Sequence, residues 1–153
     1  MRALAPILLL ASGCMSMAST EAGPPPPVLD PTRTEWRLHI DTKGKGIGAY
    51  TISIQWNPDV AVIERIEPCT PKHFKGTPMY EEAALKAGLM RITSFDTSGT
   101  SPRSGEWHLF TVIFRSVAPG ALSARAELQK LYDSQSKPLA GRLIDSNFQY
   151  TFP

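Results

Sequence analysis

What the chain has little of narrows its chemistry first. It carries two cysteines, Cys14 and Cys69, in 153 residues. One bridge at most is possible, so a disulfide framework is excluded as the basis of the fold. There are three histidines, His39, His73 and His108. None has Cys, Asp or Glu at the local spacing of a zinc motif, so neither a metal nor another cofactor is expected. Sixteen Lys and Arg stand against fourteen Asp and Glu, a formal net charge of +2. The basic residues are scattered, which speaks against nucleic acid as a partner. No apolar run reaches the roughly 20 residues that a membrane-spanning helix needs. Catalytic patterns are missing too. Gly44–Gly48 is glycine-rich but lacks phosphate-loop spacing and precedes a strand pattern. The hydroxyls of Ser98, Thr100 and Ser101 have no His and Asp companions in a nucleophile motif. Glu81 and Glu82 are adjacent and do not converge on one helix face. The chain therefore reads as a protein without enzymatic activity.

The length and a hydrophobic content of 42% suit one globular domain with a core of its own. Its N-terminus has a different character. Arg2 precedes an apolar run from Ala3 to Ala11, and small residues lead to Cys14. That order is the one found in secretory signal peptides. Leu10-Ala11-Ser12-Gly13-Cys14 resembles a bacterial lipobox, which implies lipidation of Cys14 and cleavage before it. Residues 15–35 are rich in Ser, Thr, Gly and Pro, with prolines at every position from 24 to 27. Such a stretch favours extended polyproline geometry and acts as a stiff spacer. The expected organisation is a signal peptide with lipobox over 1–14, a linker over 15–35 and a folded domain over 36–153. The expected location is the bacterial cell envelope, held to the membrane by acyl chains and facing the periplasm or the outside.

From Trp36 onward the patterning is mostly that of strands. Trp36–Ile40 is the first candidate. In Gly48–Trp56 the residues Tyr50, Ile52, Ile54 and Trp56 alternate with Ala49, Thr51, Ser53 and Gln55, as in a half-buried antiparallel strand. Asn57-Pro58-Asp59 is turn chemistry. Val60–Ile66, Leu89–Phe95 and Trp107–Val117 follow as strands. Ser123–Tyr132 admits both helix and strand; its place between turns favours strand. Ile144–Phe152 closes the series, with Phe148, Tyr150 and Phe152 on one side. Tyr80–Ala87 is expected to be a short helix ended by Gly88. Cys69 is expected as a partly buried residue in a proline-flanked turn. Strands at this spacing imply an all-β, antiparallel β-sandwich.

Five stretches, in order, resemble the cohesin domain. They are Gly46–Val60, Val62–Ile66, Leu89–Gly99, the run from Gly105 through Leu109–Phe114 to Pro119-Gly120, and Leu131-Tyr132-Asp133 with the segment from Gly141 to Ile144. The resemblance covers roughly residues 36–150. It implies a jelly-roll sandwich, here with one strand fewer ahead of Gly46. It also implies a partner: in cohesins one flat face grips a helix of a dockerin. Carried over by position, that face includes Ala49, Thr51, Thr93, Asp96 and Gly99; the short-chained outer side of the strand adds Ser53 and Gln55, Arg91 joins from the strand Leu89–Phe95, and Tyr80 and Phe95 are the candidate aromatic anchors. Ala49 and Thr51 depart from the polar or acidic contacts common in the family, and Thr93 departs from an apolar one. Asp96 and Gly99 fit the loop pattern. The expected function is non-catalytic binding of another envelope or secreted protein, dockerin-like or other. The alternative is a carbohydrate-binding module of the same sandwich type. Polysaccharide binding requires exposed aromatics, and Trp36 and Trp107, at strand starts, are the candidates, while Trp56 shares the core-facing side of its strand.

Overall fold

The computed structural model describes residues 30–69, 74–96 and 105–153. Eight strands are present: β1 Arg33–Asp41, β2 Ala49–Trp56, β3 Ala61–Pro68, β4 Leu89–Phe95, β5 Glu106–Ser116, β6 Gly120–Tyr132, β7 Arg142–Ile144 and β8 Asn147–Phe152. They form two four-stranded sheets, in the orders β3-β5-β1-β7 and β4-β2-β6-β8. Every pairing between these strands is antiparallel. Period-2 patterning makes this arrangement. The strands turn most of their Ile, Leu, Val, Phe and Trp residues inward, and the two apolar faces pack on one another. The core includes Leu38, Ile40, Ile52, Ile54, Ile92, Phe110 and Phe114, all with no exposure.

The all-β sandwich expected from the sequence is the fold observed, and Ser123–Tyr132 lies inside strand β6. Several local expectations need correction. The helix over Tyr80–Ala87 is a five-residue 3-10 helix, Glu82–Lys86, with no side-chain cap at its start and no fully buried residue. Without an apolar stripe to bury, the segment has little to hold a longer α-helix together. The closing strand Ile144–Phe152 is two strands. The chain breaks at Asp145, whose φ of 54° is left-handed, and passes from one sheet to the other.

The tryptophans are not the exposed platform that the carbohydrate reading requires. Trp36 and Trp107 are 3% and 1% exposed. Trp36 stacks on Phe148 and gives its indole N–H to the Asp145 carbonyl at 3.0 Å. Trp107 donates to Thr42 Oγ1 at 3.1 Å, and Trp56 to the Ala61 carbonyl at 3.0 Å. All three serve the core with their polar edge satisfied, as buried indoles require. A strand start gave no exposure because both residues occupy the inward phase of their strands. No tryptophan platform for a sugar ring exists. Cys69 is partly buried and unbridged, and its thiol donates to the Phe74 carbonyl at 2.6 Å.

Candidate functional site

The two outer faces of the sandwich differ in chemistry. On β3-β5-β1-β7 several charges pair with one another. Arg33 grips Glu64 with two bonds, Nε to Oε2 at 2.7 Å and Nη2 to Oε1 at 2.9 Å. Arg65 bonds both Glu67 and Glu64, and Arg37 lies 3.5 Å from Glu35. Such exposed pairs add little stability, on the order of 0–1 kcal/mol each.

The β4-β2-β6 face is built differently. Its register sets residues in four rows running across the strands. Leu89, Gln55 and Arg125 form one row; Arg91, Ser53 and Glu127 the next. Then come Thr93, Thr51 and Lys130, and finally Phe95, Ala49 and Tyr132. The central column, Ala49, Thr51, Ser53 and Gln55, is short-chained, so the middle of the face is low and flat. A bulge inserts Gln129 into β6 opposite β2, and its amide reaches back to Ser53 Oγ at 3.2 Å. Thr51 and Thr93 place their hydroxyls 3.3 Å apart.

Around that flat centre stand large apolar side chains. Met79, Leu89 and Phe95 are 45%, 59% and 54% exposed. Met79 joins the face because it forms an antiparallel bridge with Thr93 along the outer edge of β4. Leu89 and Phe95 are six residues apart on one strand, about 20 Å at the usual rise. That is the length of about 13 helical residues. A hollow of ≈270 Å³, lined in part by Ser53, Glu81, Leu89 and Arg91, opens beside Leu89. The face thus offers apolar anchors at its edge, mixed charges from Arg91, Arg125, Glu127 and Lys130, and a level floor. It suits a macromolecular surface better than a small molecule, which needs concave burial.

The structure brings together most of the residues named from the sequence. Ala49, Thr51, Ser53, Gln55, Arg91, Thr93 and Phe95 share this one face. Asp96 closes its lower corner: its carboxylate accepts from the Lys75 backbone N–H at 3.3 Å and its own N–H bonds the Gly48 carbonyl at 2.7 Å. Tyr80 is placed otherwise. It is half-buried and packs against the core, while Phe95 is exposed. Gly99, Cys14 and His73 lie outside the described residues. Met79, Leu89, Arg125, Glu127 and Lys130 were not foreseen. Leu89 shares the phase of Phe95, so strand periodicity alone marks it. Met79 reaches the face through a contact with Thr93 that no local pattern announces.

Among the described residues no helix is long and apolar enough to cross a membrane. No family model matches the chain, and no curated protein matches it. Solved structures do. A chain from a complex of a CaDoc0917 variant with CaCohA2 is 16% identical, with a TM-score of 0.61 over 79% of this chain and 89% of that one. The solution structure of CaCohA2 from Clostridium acetobutylicum is 17% identical, with a TM-score of 0.59 over 78% and 80%. A non-cellulosomal cohesin from the archaeon Archaeoglobus fulgidus is 14% identical, with a TM-score of 0.54 over 71% and 73%. The two-sheet architecture and these likenesses together give one conclusion: the chain has the cohesin fold, a jelly-roll β-sandwich.

Proposed function

We propose that this protein is a non-catalytic docking module that binds another protein on its β4-β2-β6 face, from a lipid-anchored position in the bacterial envelope. The observation that carries the docking reading is the grouping of Met79, Leu89 and Phe95 around the flat Ala49–Gln55 column. Three exposed large apolar side chains on one face, with charged neighbours, form the kind of surface on which a partner finds desolvated anchors and a polar rim. A dockerin-type partner, like the one in the CaDoc0917–CaCohA2 complex, is the first candidate. A helix laid along β4 spans the anchors. The envelope part of the reading rests on the signal-like N-terminus, the lipobox at Cys14 and the proline-rich stretch after it.

The docking test uses a photo-crosslinking residue placed at Thr93, with the same residue at Arg37 on the opposite sheet as control. A discrete adduct from Thr93 alone is expected. Equal adducts from both positions, or none from Thr93, sink the reading. The anchor is tested separately by Cys14→Ser, which is expected to move the protein from the membrane fraction to the soluble one and to abolish labelling by a fatty-acid probe.

A further inference from the structure

The β4-β2-β6 face carries a column of charge along one strand. Arg125, Glu127 and Lys130 of β6 occupy three successive rows, opposite Gln55, Ser53 and Thr51 of β2. All three are exposed. Lys130 is there because of the bulge. In an unbroken register Gln129 would face Thr51, and Lys130 would stand opposite Tyr50 and point into the core. The extra residue re-aims the lysine outward and completes the column. Among the described residues none of the three makes an ion pair. On the other sheet Arg33, Arg37 and Arg65 each have a carboxylate partner.

The other charges around the floor are placed differently. Arg91 stands on β4, across Ser53 from Glu127, about 10 Å away at the usual strand spacing. Glu81 shares the hollow beside Leu89 with it. The carboxylates of Asp96 and Asp133, at the lower end, already accept backbone N–H groups.

A partner that covers the column has to answer it. Burying a charge without an opposite one costs desolvation, and meeting a like charge costs more. The column reads plus, minus, plus, so its complement reads minus, plus, minus. Successive rows are two residues apart on β2, about 6.8 Å. A helix returns every fourth residue to one side, about 6 Å further along. The two repeats agree to within the reach of flexible side chains. The order is the same from either end, so the match holds whichever way the helix runs.

We infer that the partner's docking helix carries a carboxylate, a cation and a second carboxylate at four-residue intervals, on the flank that meets Arg125, Glu127 and Lys130. Its other flank is apolar and meets Met79, Leu89 and Phe95 on the β4 side. The inference rests on the docking reading above and adds the chemistry of the occupant.

The photo-crosslinking residue at Thr93 tests it, in the full chain mixed with a detergent extract of the cell envelope at subsaturating concentration. Arg125→Glu and Lys130→Glu are each expected to lower the adduct yield about tenfold, and Glu127→Lys several-fold. Arg125→Lys and Lys130→Arg keep it. Arg115→Glu, on the other sheet, makes the same change of net charge and leaves the yield unchanged. Raising NaCl from about 50 to about 500 mM lowers the yield several-fold. Peptide mapping of the unaltered protein's adduct finds Asp or Glu, then Lys or Arg, then Asp or Glu at four-residue intervals. The mapping needs no variant, so it decides even where a reversal fails to fold. A yield that ignores both cation reversals overturns the inference. So does an equal loss in Arg115→Glu, which assigns the effect to bulk charge, or a mapped segment without the pattern. Each of these leaves the docking reading standing. No adduct from Thr93, or an adduct of lipid mass, removes both.

Discussion

Met79 and Thr93 exchange both of their backbone hydrogen bonds, at 2.8 and 3.0 Å. This single bridge extends the β4-β2-β6 face beyond its last full strand and sets Met79 beside it. The arrangement predicts that Met79→Lys and Leu89→Lys each weaken partner binding by about tenfold or more, roughly 1.4 kcal/mol, while the melting temperature stays within a few degrees. Val117→Lys, at an exposed apolar residue beyond the end of β5, is the control and leaves affinity unchanged. Titration calorimetry against the purified partner reads all three.

Gly88 fixes the entry into β4. Its φ is +78°, and a Cβ there would lie 2.9 Å from Pro58 Cδ and 3.1 Å from the Trp56 carbonyl oxygen. Trp56 also bonds the Gly88 carbonyl through its backbone N–H at 2.9 Å. Gly88→Ala is expected to cost about 1–3 kcal/mol, from backbone strain and from the crowding of Pro58. Denaturant unfolding measures the loss. Because Leu89 follows directly, partner affinity falls as well.

The Tyr50 hydroxyl is buried and has no hydrogen-bond partner among the described residues. Ser94 lies close, but its hydroxyl bonds the Thr77 carbonyl at 2.9 Å. Burial pushes the Tyr50 phenol far above its ordinary value, so it stays neutral throughout the useful pH range. The ring itself is well held, stacked on Phe110 at 6.0 Å and tilted against Phe74 at 5.1 Å. Tyr50→Phe keeps those contacts and removes an unpaired polar atom. It is expected to be neutral or stabilising by up to about 1 kcal/mol, as read by thermal unfolding.

Burial likewise pushes the Cys69 thiol above its ordinary value. Folding therefore retains a proton that the unfolded chain gives up. The contribution is fully present below the ordinary thiol value of 9.0 and fades as pH rises through the folded one. Stability is expected to fall with rising pH above that point, and less steeply in Cys69→Ser. Alkylation of Cys69 by iodoacetamide at pH 8 is expected to run several-fold slower than that of a free thiol, because thiolate is the reactive form.

Strand periodicity made the sandwich legible, since Tyr50, Ile52, Ile54 and Trp56 could face only a core. It also placed most of one outer face, because Ala49, Thr51, Ser53 and Gln55 had to share the other side. What it left out depends on contacts distant in sequence. Met79 belongs to the face only through Thr93, and Lys130 faces Thr51 only because Gln129 is bulged. Trp36 and Trp107 lie near strand starts, but the inward phase of each strand decides their burial. The break at Asp145 was hidden because Phe148, Tyr150 and Phe152 continue a pattern that suits either sheet.

The strand switch at Asp145 has a consequence for how the protein is made. β7 completes one sheet by pairing with β1, and β8 completes the other by pairing with β6. Neither layer has its full set of strands until residues 142–152 have left the ribosome. The other pairings can form during synthesis, but both outer edges stay open to foreign strands until then. A nascent chain stalled before Arg142 presents β1 and β6 unprotected at once, which makes the closing stretch the step that separates a soluble product from an aggregating one.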